Sequence, residues 1–111
     1  MQSSAIRMGA RTWAIACLSD EDFDVLLAQK GVYDLDIKSF VDYDEQLVAV
    51  RSRLRPDHRQ ELVVHELVHV ALEDAGVVQD ERSEQVIAAL APRLNGMIVD
   101  GLMSVLRETC S

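Results

Sequence analysis

The change of hydrophobic period along the chain predicts an α+β fold, in which a small mixed sheet packs against helices that follow it. Three observations carry this. Thr12 to Leu18 (TWAIACL) is a near-continuous apolar run of strand length. Val32 to Arg53 keeps a strand-like pattern. From Pro56 onward the apolar residues recur at helical spacing, first to Ala75 and again after Asp80. At 111 residues the chain has the length of one domain, here residues 1–111, and its 49% hydrophobic content suffices for a packed core. Aromatics make up only 5%, so that core is aliphatic.

Residues 1–10 carry no clear pattern and read as loose. Arg7 and Arg11 precede only a short apolar run, and Asp20-Glu21-Asp22 follow it, so this start reads as a strand and not as a secretion signal. Trp13, the one tryptophan, reads as a core residue. Ser19 has the character of an N-cap, with the three acids in the first turn, where negative charge suits the helix dipole. Phe23, Leu26 and Leu27 give that helix an apolar stripe, and Gly31 stops it. The acidic run lacks the alternating ligand spacing and central glycine of a calcium loop.

Ile37 to Tyr43 and Gln46 to Arg51 read as a hairpin turning at Asp44 and Glu45. Arg51, Arg53, Arg55 and Arg59 form the one basic cluster, read as a solvated strand end and helix start. Pro56 suits a first helical turn, where its missing N–H costs nothing. The helix it opens ends near Gly76, and Asp80 caps the next. Val86, Ile87, Leu90 and Leu94 are the expected buried stripe of that second helix, Pro92 is expected to kink or interrupt it, and Asn95-Gly96 to stop it. Met97 to Leu106 reads as a last apolar helical stretch or a continuation of the bent one.

Within the Pro56–Ala75 helix lies His65-Glu66-Leu67-Val68-His69. Two imidazoles four residues apart project from one face, one turn above the other, so both rings can reach one metal ion. Glu66, beside the first ring, is positioned to act on a water there as general base. Leu62, Val63, Val64, Leu67, Val68, Val70, Ala71 and Leu72 surround these polar groups, and buried polar groups need partners. His58 lies two turns earlier, too far along the axis to join easily, and reads as a surface histidine.

With Gly76 reversing the chain and an acidic helix start at Asp80, His65, Glu66 and His69 resemble the HExxH motif of zincin metallopeptidases. Within them the chain is most similar to the gluzincin branch, to its minimal single-domain members and to small peptidase-like proteins of phages. The resemblance covers about residues 31–98. It implies a minimal zincin-like domain with Zn2+ as cofactor, a glutamate from the next helix as third ligand, and peptide or protein as substrate. It also implies an edge strand before the metal helix that aligns an extended peptide, for which Leu47 to Arg51 (LVAVR) is the candidate. A Tyr or His often assists in related enzymes; Tyr33, Tyr43 and His58 are the available types.

If the two helices fold back as a hairpin centred near Val78, His69 lies level with about Ile87, and Glu84 comes within reach one turn short of it. Glu81 lies a further turn away, by the helix start, so Glu84 is the expected third ligand and Glu81 the alternative. Many gluzincins carry an Asp four residues after this Glu, where Ala88 stands, leaving Asp80, Ser83 or a backbone carbonyl to orient the imidazoles. Two other functions stay open. One is a metal-stabilised, catalytically silent or latent domain that docks a protein, with Cys110 as a fourth, inhibitory ligand in a latent form. The other is a repressor-cleaving peptidase of the ImmA/IrrE-like group, whose members often carry Gly where Val68 stands. The net charge of −8 argues against a nucleic-acid partner, and no apolar run is long enough for a membrane span. Cys17 and Cys110 make no disulfide framework and read as reduced thiols of a cytoplasmic protein.

Overall fold

A computed structural model describes residues 2–34, 36–97 and 109–110. It is an α+β fold, a four-stranded mixed sheet with three helices among the described residues. In chain order these are β1 (Gln2–Met8), β2 (Arg11–Leu18), α1 (Asp20–Gln29), β3 (Ser39–Asp42), β4 (Leu47–Arg51), α2 (Pro56–Asp74) and α3 (Glu81–Met97).

The first segment is not loose. β1 pairs antiparallel with β2 from Gln2–Cys17 to Met8–Arg11. Ile6 and Met8, on alternate positions, pack onto the core, and the two strands join through Gly9 and Ala10. Gly9 has φ +61, the conformation a glycine-first two-residue hairpin turn requires. A Cβ there would lie 2.6 Å from Asp74 Oδ2, so the turn also approaches the end of α2 closely.

β2 and β4 are parallel neighbours at the centre, and β3 returns antiparallel beside β4, giving the order β1-β2-β4-β3. A parallel pair needs a crossover, and α1 lies within it. The central strands are buried on both faces, which explains their unbroken apolar runs. Period-2 alternation sorts them. Ala16, Leu18 and Ala49 face Phe23 and Leu27 of α1. Trp13, Ile15, Cys17, Val48 and Val50 face Val63, Val64, Leu67 and Val70 of α2 and Ala91 of α3. The sheet is thus the middle of three layers.

This order corrects the assignment of Leu47 to Arg51 as the substrate-aligning edge. β4 is interior, its backbone groups paired to β2 on one side and β3 on the other. The ends of the sheet are β1 and β3, and of these β3 lies against α2.

Local signals set the helix limits. Ser19 Oγ accepts from Asp22 N at 3.2 Å. Val32 N bonds Leu27 O and Gly31 N bonds Ala28 O, with Gly31 at φ +75: a Schellman stop. α2 opens on Pro56 and ends the same way, with Val77 N on Leu72 O, Gly76 N on Glu73 O and Gly76 at φ +74. Asp80 and Ser83 cap α3 reciprocally, each side chain bonding the other's backbone N–H.

α3 departs from expectation in its second half. It runs unbroken through Pro92 and Asn95-Gly96 to Met97. Pro92 and Ala88, whose carbonyl loses its helical donor, are both exposed, so the missing bond falls on the solvent side. Asn95 does not stop the helix because its Oδ1 accepts from Gln60 Nε2 of α2 at 2.7 Å. The inward residues are Ile87 and Ala91, with Leu94 half-buried, while Val86 and Leu90 are exposed. The stripe is therefore shifted from the one expected. Residues 98–106 of the expected last helical stretch lie outside the described residues.

Two further expectations are overturned. Arg51 is not solvated but is buried over α1, paired with Asp20 and Asp24. Cys17 and Cys110 are joined as a disulfide across 93 residues, with Cα atoms 5.5 Å apart, inside the range a bridge allows. Cys110 is therefore neither a free thiol nor a metal ligand.

Candidate metal centre

Each side chain of the candidate centre is placed by an element whose limits are local. Val63, Val64, Leu67 and Val70 turn one face of α2 onto the sheet, and His65 and His69 occupy the flank toward α3. The stop at Gly76 sends the chain back, and α3 packs along α2. Glu84 is three residues before Ile87 and seven before Ala91, both buried, so it lies on the side of α3 that they turn inward.

Three ligand-type side chains converge. His65 Nε2 lies 3.0 Å from Glu84 Oε1 and His69 Nε2 lies 2.9 Å from Glu84 Oε2. The two Nε2 atoms are 3.3 Å apart. One ligand atom from each residue falls within 4.8 Å of the others, a spacing at which one ion can meet all three. The imidazoles are partly exposed and Glu84 about half exposed, so the cluster opens to solvent. Glu81 is outside it. The donor set, two imidazole nitrogens and a carboxylate oxygen, suits zinc among other divalent ions.

Glu66 is half-buried beside the cluster. Burial pushes its carboxyl above the ordinary value. The imidazoles of His69 and His65 oppose this, the Glu84 carboxylate adds to it, and the net direction is up. A carboxyl poised upward accepts a proton more readily near neutrality, as a general base must.

Of the three candidate assisting residues, one is linked to the centre, through Gln79. Tyr43 follows β3 and meets the Gln79 side chain; burial, countered by Gln79 and reinforced by the charges of Glu73 and Glu66, raises its phenol above the ordinary value. It also meets the Trp13 ring edge-on at 5.8 Å. Tyr33 is 80% exposed beside Asp24 and Leu27 of α1, on the other side of the sheet. His58 sits half-buried in the first turn of α2, outside the cluster. None of Arg51, Arg53, Arg55 and Arg59 is drawn to the centre: Arg53 pairs with Asp20, Arg55 with Asp57, and Arg59 donates to the Ser52 carbonyl.

The residue sequence reasoning missed is Gln79. Its Oε1 lies 2.6 Å from His69 Nδ1. Asp80 and Ser83, expected to orient the imidazoles, are instead occupied in capping α3. A polar residue in the connection ten positions after His69 is the only sequence signal, and it gains meaning only once α2 and α3 are known to fold back. Among the described residues no helix is long and apolar enough to cross a membrane. No protein-family model, curated protein or solved structure matches the chain.

Proposed function

We propose that the protein is a zinc-dependent peptide hydrolase in which His65, His69 and Glu84 hold the ion and Glu66 is the general base. The observation that carries this reading is the convergence of the three ligand atoms from two helices, with Glu66 half-buried beside them. When bound, such an ion supplies Lewis acidity toward a peptide carbonyl and toward water. Glu66 takes a proton from the attacking water and delivers it to the leaving amine, which its raised affinity for protons favours. Tyr43, 40% exposed, presents its phenol O–H beside Gln79, the partner of His69, and is the group we assign to hydrogen-bond the carbonyl oxygen. The sheet end that flanks α2 is β3, which leads directly into Tyr43. An extended peptide adding to Ser39–Asp42 is the capture mode that fits this edge.

The test is zinc content and hydrolysis of an unstructured protein substrate. Wild type is expected to carry about one zinc per chain, and His69→Ala and Glu84→Ala to lose it, while Glu81→Ala keeps it. Glu66→Gln is expected to retain zinc and lose hydrolysis by a factor of about 100 or more. Equal zinc in wild type and His69→Ala removes the metal from the proposal. Zinc bound by wild type and lost in His69→Ala, with no hydrolysis by wild type, makes the domain a metal-stabilised scaffold.

A further inference from the structure

We infer that Gln79 is a positioning residue that fixes the tautomer and the orientation of His69. One end of the Gln79 side chain faces the backbone carbonyl oxygen of His69 at 3.3 Å and Glu73 Oε2 at 3.3 Å. A carbonyl oxygen only accepts, so that end is the NH2 donor. The other end is therefore Oε1, and it lies 2.6 Å from His69 Nδ1. Two acceptors cannot face each other at that distance, so Nδ1 carries the proton and donates it. Nε2 is then the ring nitrogen left to meet an ion, and it is the one turned toward Glu84 Oε2 at 2.9 Å and His65 Nε2 at 3.3 Å, contacts that a bound ion or a shared proton must bridge.

Gln79 thus grips His69 twice, at its backbone carbonyl and at its far ring nitrogen, which sets the imidazole plane as well as the proton. Its amide also ties together three parts of the chain. It sits in the connection that returns α2 to α3, it reaches Glu73 in the last turns of α2, and it is the partner of Tyr43 at the end of β3. A hydrogen-bonded partner on the far nitrogen of a ligating histidine commonly changes metal affinity by about 10–100-fold.

The metal arm of the test rests on the reading proposed above; a second arm does not. Zinc affinity is measured by competition with a chromophoric chelator for wild type, Gln79→Leu and Gln79→Glu, each checked for unchanged helix content. Gln79→Leu, which fills the space without an acceptor, is expected to weaken zinc about 10–100-fold. Gln79→Glu keeps the acceptor facing Nδ1 and is expected to equal or exceed wild type. Wild-type affinity in Gln79→Leu overturns the inference. So does an equal loss in both variants, which would trace the effect to the amide's donor end. The second arm reads the ring proton by nitrogen-15 NMR in the metal-free protein. A protected Nδ1–H resonance of His69 is expected in wild type and lost in Gln79→Leu, and its absence from wild type overturns the inference. If wild type takes up no zinc yet shows that resonance, the proposed function fails and the role of Gln79 stands.

Discussion

Arg51 is among the largest side chains withdrawn completely from solvent in the described residues. Its charge is tolerated there because each of the three guanidinium nitrogens has a partner. Nε donates to Ile37 O at 2.7 Å, Nη1 to Asp20 Oδ1 at 3.0 Å and Nη2 to Asp24 Oδ1 at 2.7 Å. Its guanidinium carbon also lies 4.2 Å from the centre of the Phe23 ring. Asp20, in the first turn of α1, thus serves the helix dipole and the buried cation together. Arg51→Ala is expected to lose about 3 kcal/mol by chemical denaturation, the low end for breaking a buried pair, because Asp20 and Asp24 remain partly solvated. Arg51→Lys should recover only part of it, since an ammonium cannot span three acceptors as a planar fork does. A loss below about 1 kcal/mol for Arg51→Ala would show that the network contributes little.

At the scale of the element, the turn from β3 to β4 decides where Tyr43 stands. Asp42 organises it: Oδ1 accepts from the backbone N–H of Asp44 at 3.1 Å and of Glu45 at 3.2 Å, and Oδ2 lies 3.2 Å from Lys30 Nζ. Burial alone would raise the Asp42 carboxyl. The Glu45 N–H, Lys30 and the Asp44 N–H together outweigh it and hold the group below its ordinary value. A carboxyl depressed in the folded state stabilises above its unfolded value, ordinarily about 3.9, and loses that contribution as pH falls through the lower folded value. Asp42→Asn is therefore expected to lower stability by about 1 kcal/mol at pH 7. The gap between wild type and variant should narrow as pH falls from 5 toward 3. Thermal midpoints of both proteins across that range check this, and a gap that stays constant contradicts it.

For the whole molecule, the sheet is cross-linked to the far end of the sequence. Cys110 joins Cys17 on the α2 face of the sheet, and the neighbouring Thr109 donates from Oγ1 to Ser4 Oγ of β1. This fastens the chain's last described residues beside the strand nearest its start. Closing a span of 93 residues restricts the unfolded chain strongly, by roughly 4–5 kcal/mol in the chain-entropy account, of which real bridges deliver a part. Reduction with a phosphine is expected to lower the thermal midpoint by roughly 10 °C. Cys110→Ser should start near the reduced value and show no further response to reductant. An unchanged midpoint in wild type would mean that the bridge does not constrain the fold.

By itself the sequence determined what depends on near neighbours along the chain. The stops at Gly31 and Gly76, the Ser19 cap, the start at Pro56 and the shared face of His65 and His69 follow from backbone dihedrals and the 3.6-residue turn, which a few residues settle. The placement of Glu84 beside His65 and His69 was legible a step further, because a reversal at Gly76 converts sequence distance into height along a returning helix. Tertiary structure alone decided the rest. Whether β4 is edge or interior depends on where β1, β2 and β3 lie, and β1 looked unstructured because its apolar residues have meaning only against β2. The burial of Arg51, the Cys17–Cys110 bridge and the Gln79–His69 bond each join groups from separate elements. Their energies come from desolvation and from hydrogen-bond geometry fixed only when those elements have packed, so no local pattern in the sequence records them.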